Sequence, residues 1–167
     1  MTPLLWLLGF VIVQRLAELA YARRNERRLL ATGGVEVGRG HYPLIVALHV
    51  AWIAAMTAFI PLDTPLRLPW LVAFIVLQAL RLWTIASLGR FWTTRVITLP
   101  GAALVRRGPY RFLRHPNYLI VAAEIAVLPL AFGAWHLAAI FTIANAALLW
   151  WRVRIENAAL DGRRVEP

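Results

Sequence analysis

Long apolar stretches alternate with short polar segments along the whole chain, and this alternation predicts five membrane-spanning helices. A helix needs roughly 20 mostly apolar residues to cross a hydrocarbon core of about 30 Å. The last two stretches are short and only Phe132-Gly133 separates them, so we expect them to form a helical hairpin. The predicted spans cover residues 3–21, 43–61, 69–89, 117–131 and 134–151.

Two longer polar segments separate these spans. The first continues the helix through residue 32 until Gly33-Gly34 breaks it, and the chain re-enters the membrane at Pro43. The second is rich in β-branched and aromatic residues over residues 91–99 and then reaches a turn signal at Pro100-Gly101. This pattern predicts a short strand-like hairpin within the second segment, covering one face of the bundle.

Composition agrees with an all-α integral membrane protein, because 60% of the residues are hydrophobic and only 16% are charged. The sequence shows no internal repeat and no sign of a second domain, so residues 1–167 are expected to form a single domain. There is no cysteine, which excludes disulfides, thiolate nucleophiles and cysteine-based metal sites. Isolated His49 and His136 are expected to be packing residues, and the sequence predicts no metal site.

The net charge of +10 comes entirely from arginine. In a soluble protein it would suggest nucleic acid, but these arginines are concentrated in residues 22–42, residues 90–116 and the tail after residue 151, whereas the opposite loops hold only Arg67. The positive-inside rule then places the N-terminus outside and the C-terminus in the cytoplasm, with arginines near anionic lipid headgroups of a bacterial inner membrane.

Charged residues inside a span are expensive and need a partner or a purpose. Arg15 and Glu18 share a helix face with Gln14, and Gln78 and Arg81 share a face of the third span. Pairing within each helix is the simplest interpretation of both groups.

Glu124 is alone in its span and lies seven residues after Asn117, on nearly the same face. It could be protonated and structural or ionised and functional, and the sequence leaves both open.

Two polar clusters stand at membrane boundaries. The first is GPYRFLRHPNY over residues 108–118, and the second is WRVRIE over residues 151–156. A helical hairpin would return both clusters to the same side of the membrane. Asn145, Leu149, Arg152 and Glu156 follow a four-three-four spacing and form one stripe, which either faces a site or faces headgroups with an Arg152–Glu156 ion pair capping the helix. Likewise, residues 115–117 taken alone could be an ordinary helix start.

The sequence GPYRFLRHPNY, followed by a helical hairpin and RVRIENAAL, resembles the isoprenylcysteine carboxyl methyltransferase family, especially its small bacterial branch. The stretches QRLAELAYARRNERRLLATGGVEVGRGHYP and LRLWTIASLGRFWTTRVITLPGAALVRRGPY extend the resemblance over nearly the whole chain. The short Arg-His-Pro-x-Tyr signature also occurs in phospholipid methyltransferases and sterol-type reductases. The flanking similarity favours methyl transfer.

The resemblance implies an S-adenosylmethionine pocket at the cytoplasmic end of the last two spans, open laterally to lipid. Family members commonly continue with further acidic residues after the arginines, whereas here Glu156 is followed by Asn157 and two alanines. The resemblance assigns catalytic or acceptor-positioning roles to Arg152, Glu156 and His115. It assigns cofactor contacts to Tyr110, Arg114, His115, Pro116, Asn117, Tyr118, Arg154 and Glu156.

Methyl transfer from a sulfonium needs alignment and water exclusion rather than a metal or a covalent nucleophile. A carboxylate acceptor could be held by Arg152, whereas a phenol or enol would need a base, for which His115, Glu124 and Glu156 are candidates. The expected acceptor is a lipid-like small molecule, such as an alkylated polyketide phenol or pyrone. The alternatives are a membrane reductase using NADPH, and a small transporter or structural membrane protein without catalytic activity.

Overall fold

The computed structural model describes residues 2–161, with side chains for residues 2–159, and it is an all-helical bundle with one small sheet. The tail arginines Arg163 and Arg164 lie outside the described residues. Three short 3-10 turns, Arg39–His41, Gly89–Phe91 and Gly108–Arg111, lie in the polar segments. The helices are α1 (Pro3–Ala31), α2 (Tyr42–Phe59), α3 (Leu68–Leu88), α4 (Pro116–Leu130) and α5 (Trp135–Asp161), and the strands are β1 (Val35–Val37) and β2 (Val96–Thr98).

The predicted helices are confirmed. Within residues 2–161, the helices α1, α2, α3 and α5 are long and apolar enough to cross a membrane. The helix α4 has 15 residues and is only about 22 Å long at about 1.5 Å per residue. Both α1 and α5 continue about ten residues past their predicted spans, so their polar ends project beyond the apolar part of the bundle.

The loops at the end of the bundle opposite these projections are joined. The Arg67 backbone N–H donates to the Ala131 carbonyl at 2.9 Å, which ties the α2–α3 link to the α4–α5 link. Gly133 has a φ of +71°, and a side chain there would collide with the Arg67 guanidinium. The tight hairpin between α4 and α5 is therefore fixed, and α4 packs between α3 and α5 along its length.

The prediction of a strand-like hairpin within the second polar segment is wrong. β2 instead pairs antiparallel with β1 of the first polar segment, with Val35 opposite Thr98 and Val37 opposite Val96. The turn at Pro100-Gly101 does form, but residues 102–106 after it adopt no strand. The two-stranded ribbon formed by β1 and β2 therefore joins the two polar segments to each other.

Glu124 is the one charged residue of α4, as the sequence indicated, but it has partners on two neighbouring helices. Its carboxylate lies 2.5 Å from Arg15 of α1 and accepts a hydrogen bond of 2.8 Å from Gln78 of α3. The predicted pairing within α1 is confirmed by an Arg15–Glu18 contact of 2.9 Å, but Arg81 bonds across to Glu18 rather than to its own helix. These side chains link α1, α3 and α4 inside the bundle.

Candidate active site

A cavity of about 410 Å³ lies at the end of the bundle that carries the ribbon. Its walls come from residues 91–98, residues 103–118 and the end of α5 through Arg152 and Glu156. This volume is within the range of roughly 300–1,000 Å³ that small-molecule and cofactor sites occupy. The two polar clusters of the sequence, about 40 residues apart, therefore meet in one cavity.

The local sequence sets the first wall. Gly108 has a φ of +57°, and a Cβ there would lie 2.0 Å from the Ser87 hydroxyl, so only glycine lets this loop pack against the end of α3. Pro116 then occupies the first turn of α4, where a missing N–H costs nothing. His115 precedes the helix and its ring stacks on Tyr118, with centroids 5.3 Å apart.

The Tyr118 hydroxyl joins the motif to α5. Arg152 is buried and its Nε donates to this hydroxyl at 2.7 Å, while its Nη2 donates to the Thr94 carbonyl at 2.7 Å. The Tyr118 hydroxyl in turn donates to Glu156 Oε2. Arg152 and Glu156 thus share a partner inside the cavity, which is more than a capping ion pair at a helix end requires.

His115 lies between two residues of α5. Its Nε2 is 2.9 Å from Asn157 Oδ1 and its Nδ1 is 3.8 Å from Glu156 Oε1. Asn157 thus places an amide against the imidazole without adding negative charge.

Tyr110 lines the same cavity from the 3-10 turn before α4. Burial, and then the negative charge of Glu156, raise the pKa of its phenol above the ordinary value. The hydroxyl therefore stays protonated at neutral pH and can take part in hydrogen bonds with a bound ligand.

The charge of the cavity wall is positive. Among the described lining residues, Glu156 is the acidic one, whereas five arginines line the same cavity. A site of this composition suits a ligand that carries a carboxylate or another anionic group. The five lining arginines are Arg95, Arg106, Arg111, Arg114 and Arg152.

Most of the residues singled out by sequence reach the cavity. Arg154 does not, because it is exposed and its guanidinium lies 4.7 Å over the Trp150 ring. Pro116 is buried and is not among the lining residues of this cavity, and neither are Glu124, His49 and His136. The predicted residues that line the cavity are Tyr110, Arg114, His115, Asn117, Tyr118, Arg152 and Glu156.

Sequence reasoning missed the contribution of residues 91–98. The β-branched and aromatic run was noticed as a strand signal, but its main role at the site is to supply a wall and the Thr94 carbonyl. Every residue has a backbone carbonyl, so the sequence does not show which of them serves a site. Arg95 also went unassigned, although its ion pair with Glu36, at 3.2 Å, ties this wall to β1.

A second, almost wholly apolar groove of about 390 Å³ lies between α3 and α4 on the outer surface of the bundle. Phe112 and Leu113 line both the groove and the polar cavity, so the two are neighbours across one short wall. The groove is also lined by Leu80, Leu119 and Ala123, and Leu119 is 58% exposed. In a membrane this surface would face lipid tails.

Together, the fold and the cavity define a multi-pass helical membrane protein with a ligand-sized polar site at one end and an apolar groove beside it. The chain belongs to the isoprenylcysteine carboxyl methyltransferase family, a family of membrane methyltransferases, and the family model matches residues 70–162. That match covers α3 to α5 and the loop between them, hence every segment that lines the cavity.

Two relatives extend the similarity to the N-terminal part. The uncharacterized protein YpbQ of Bacillus subtilis strain 168 is 39% identical over an alignment of 161 residues that covers 93% of this chain and 96% of that protein. An uncharacterized protein of Haemophilus influenzae Rd is 24% identical over an alignment of 157 residues that covers 90% of this chain and 91% of that protein. No solved structure matches the chain significantly.

Proposed function

We propose that the protein uses S-adenosylmethionine to methylate a carboxylate or hydroxyl oxygen of a lipophilic acceptor at the membrane. The observation that carries the proposal is the Arg152–Tyr118–Glu156 chain of hydrogen bonds inside a ligand-sized cavity, within the part of the chain that matches the family. Methyltransferases of this family generally use this cofactor.

The cavity residues fit the parts of S-adenosylmethionine. Its amino-acid head calls for a cation near the carboxylate and for an acceptor near the amine, and Arg114 and Glu156 are lining residues of these types. Its adenine calls for aromatic or apolar walls, which the stacked rings of His115 and Tyr118 supply. When bound, the cofactor supplies a methyl group that its sulfonium has already activated.

The protein residues then have to orient the acceptor and exclude water. Arg152 suits a carboxylate acceptor, because its guanidinium is held in place by two bonds of 2.7 Å. A phenol or enol acceptor needs a base, and His115 and Glu156 line the cavity where such a group would lie. Glu124, the third base candidate from the sequence, is engaged by Arg15 and Gln78 outside the cavity wall.

The apolar groove supports a lipophilic acceptor. It adjoins the polar cavity across Phe112 and Leu113, so a molecule with a polar head and an alkyl tail can occupy both spaces. An alkyl tail can therefore remain in apolar surroundings while the polar head enters the cavity, which favours acceptors that carry such a tail.

Filling the groove tests this assignment. Ala123→Trp should raise the KM for a lipophilic acceptor about tenfold, because the indole occupies space in the groove and overpacking costs about 1–3 kcal/mol. The affinity for S-adenosylmethionine should stay unchanged. Ala147→Trp, on an exposed face of α5, is the matched control and should leave both quantities as in the parent. An equal KM for Ala123→Trp and Ala147→Trp would contradict the assignment.

We also propose that the cavity faces the cytoplasm and the N-terminus lies outside, because the arginine-rich segments lie at the cavity end. The chain has no native cysteine, so single cysteines can report on each side. In whole cells, Asp63→Cys in the α2–α3 link should react with an impermeant thiol reagent. Ala31→Cys at the end of α1 should react only after permeabilisation. The reverse pattern would invert the orientation.

A methyl-transfer assay tests the proposed activity itself. Purified protein is incubated with methyl-labelled S-adenosylmethionine and fractionated bacterial lipid extract, and label is followed into the organic phase. The proposal expects label in a discrete lipophilic product. Absence of label from every fraction, combined with NADPH consumption in the same extracts, would favour the reductase instead.

A further inference from the structure

Four charged side chains lie close together among α1, α3 and α4. Arg15 and Arg81 face Glu18 and Glu124, so the group has no net charge. Arg81 is 5% exposed and grips Glu18 with two bonds of 2.6 Å, from Nε and from Nη2. Such burial is expensive in a membrane protein, and full pairing accounts for its being tolerated.

One edge of Arg81 turns away from Glu18 and towards the active site. Its Nη1 lies 3.4 Å from Glu124 Oε2 and 3.4 Å from Asn117 Oδ1, and its Cζ is 5.8 Å from the Trp92 ring. Asn117 and Trp92 both line the polar cavity. Arg81 is therefore the residue through which the intramembrane charges contact the cavity wall.

This contact decides which way the Asn117 amide points. A guanidinium carries only donors, so the Asn117 atom that faces Arg81 is the oxygen. The Nδ2 group is then directed away from Arg81 and is free of that contact to donate to a ligand in the cavity that Asn117 lines. Because Glu18 holds Arg81 by two further bonds, Arg81 cannot easily rotate to release the oxygen.

We propose that the intramembrane charge network, acting through Arg81, orients the Asn117 amide so that it donates a hydrogen bond to an oxygen atom of the bound S-adenosylmethionine. Arg81 is a positioning residue in this scheme, and Asn117 is the residue that touches the cofactor. The inference rests on the proposed function, because it assumes that the polar cavity is the cofactor site.

The test is a double-mutant cycle read out by cofactor binding and by thermal unfolding in detergent. Asn117→Asp keeps an oxygen for Arg81 but replaces the donor with a second oxygen, so it should weaken S-adenosylmethionine binding about tenfold or more. Arg81→Lys keeps the charge opposite Glu18 but loses the planar geometry, and should weaken binding about fivefold. In combination with Asn117→Ala, the Arg81→Lys change should weaken binding no further.

Gln14→Leu is the matched control within the network. Gln14 donates to Glu18 at 3.0 Å and is not among the residues that line the cavity, so its loss should change the unfolding temperature alone. A purely structural network predicts that cofactor affinity follows the unfolding temperature in every variant, Gln14→Leu included. That result, or equal effects of Arg81→Lys with and without Asn117, would overturn the inference.

Binding of S-adenosylmethionine by the parent, with Asn117→Asp unchanged in affinity, overturns the role of Arg81 and Asn117 alone. Absence of binding by a folded parent overturns the proposed function and this inference with it.

Discussion

Replacing Arg152 by alanine should lower the proposed methyl transfer by about 100- to 1,000-fold, the largest loss that we expect for any single substitution in this chain. The buried guanidinium donates to the Tyr118 hydroxyl and to the Thr94 carbonyl, each at 2.7 Å. Hydrogen bonds to charged groups contribute about 1.5–3 kcal/mol each, so losing two corresponds to about 3–4 kcal/mol after partial relaxation. The substitution would also remove the hydrogen bond that holds the end of α5 against the wall formed by residues 91–98.

The measurement is kcat/KM for methyl transfer, with unfolding temperature as the check on folding. Arg154→Ala is the matched control, because Arg154 has the same charge on the same helix but lies exposed over Trp150. It should stay within about twofold of the parent, as expected for a surface substitution. Arg152→Lys should recover only part of the activity, since an ammonium cannot reproduce the forked geometry. Equal losses for Arg152→Ala and Arg154→Ala would contradict the role given to Arg152.

Tyr118→Phe should lower kcat/KM by about 10- to 100-fold, because it leaves the Glu156 carboxylate without the donor it has inside the cavity. The ring itself should remain stacked on His115, so the cavity keeps its shape. The result would distinguish the contribution to kcat/KM of the Tyr118 hydroxyl, which links Arg152 to Glu156, from that of the aromatic ring.

Tyr21→Phe is the control for Tyr118→Phe, because Tyr21 is a half-exposed tyrosine of α1 outside the cavity lining. It should match the parent in kcat/KM. The assay is run at saturating S-adenosylmethionine with varied acceptor and then in the reverse arrangement, which assigns the loss to cofactor or to acceptor. Unchanged kinetics in both arrangements for Tyr118→Phe would remove the Tyr118 hydroxyl from the mechanism.

The helices were predictable because length and apolarity alone set them. Span-length apolar runs have few alternatives in a membrane, and Pro43 and Pro116 mark helix starts that the structure confirms within one residue. The ribbon was not predictable in the same way. Each strand has three residues, too few for a period to show, and the partner of β2 lies about 60 residues earlier in the chain.

The candidate site was predictable where residue spacing carries the information. Arg152 and Glu156 are four residues apart and share a helix face, and both line the cavity. Arg154 was grouped with them by resemblance, although residues two positions apart on a helix do not face each other. The helical spacing alone predicts that Arg154 lies on a different face of α5 from Arg152 and Glu156.

The intramembrane network shows what sequence could not give. The sequence shows that each buried charge needs a partner, but it does not show which one, because Glu124 pairs with Arg15, 109 residues away in the chain. Only the packing of α1, α3 and α4 decides that pairing. The same packing brings Arg81 to Asn117 and so connects the network to the cavity.

Titration calorimetry of the detergent-purified protein with S-adenosylmethionine, and separately with NADPH, tests most directly that the cavity is a methyl-donor site. The account predicts one S-adenosylmethionine site per chain, weakened at least about tenfold by Arg152→Ala and unchanged by Arg154→Ala, with NADPH neither binding nor competing. Binding of NADPH in competition with S-adenosylmethionine, or no S-adenosylmethionine binding by folded protein, would contradict it.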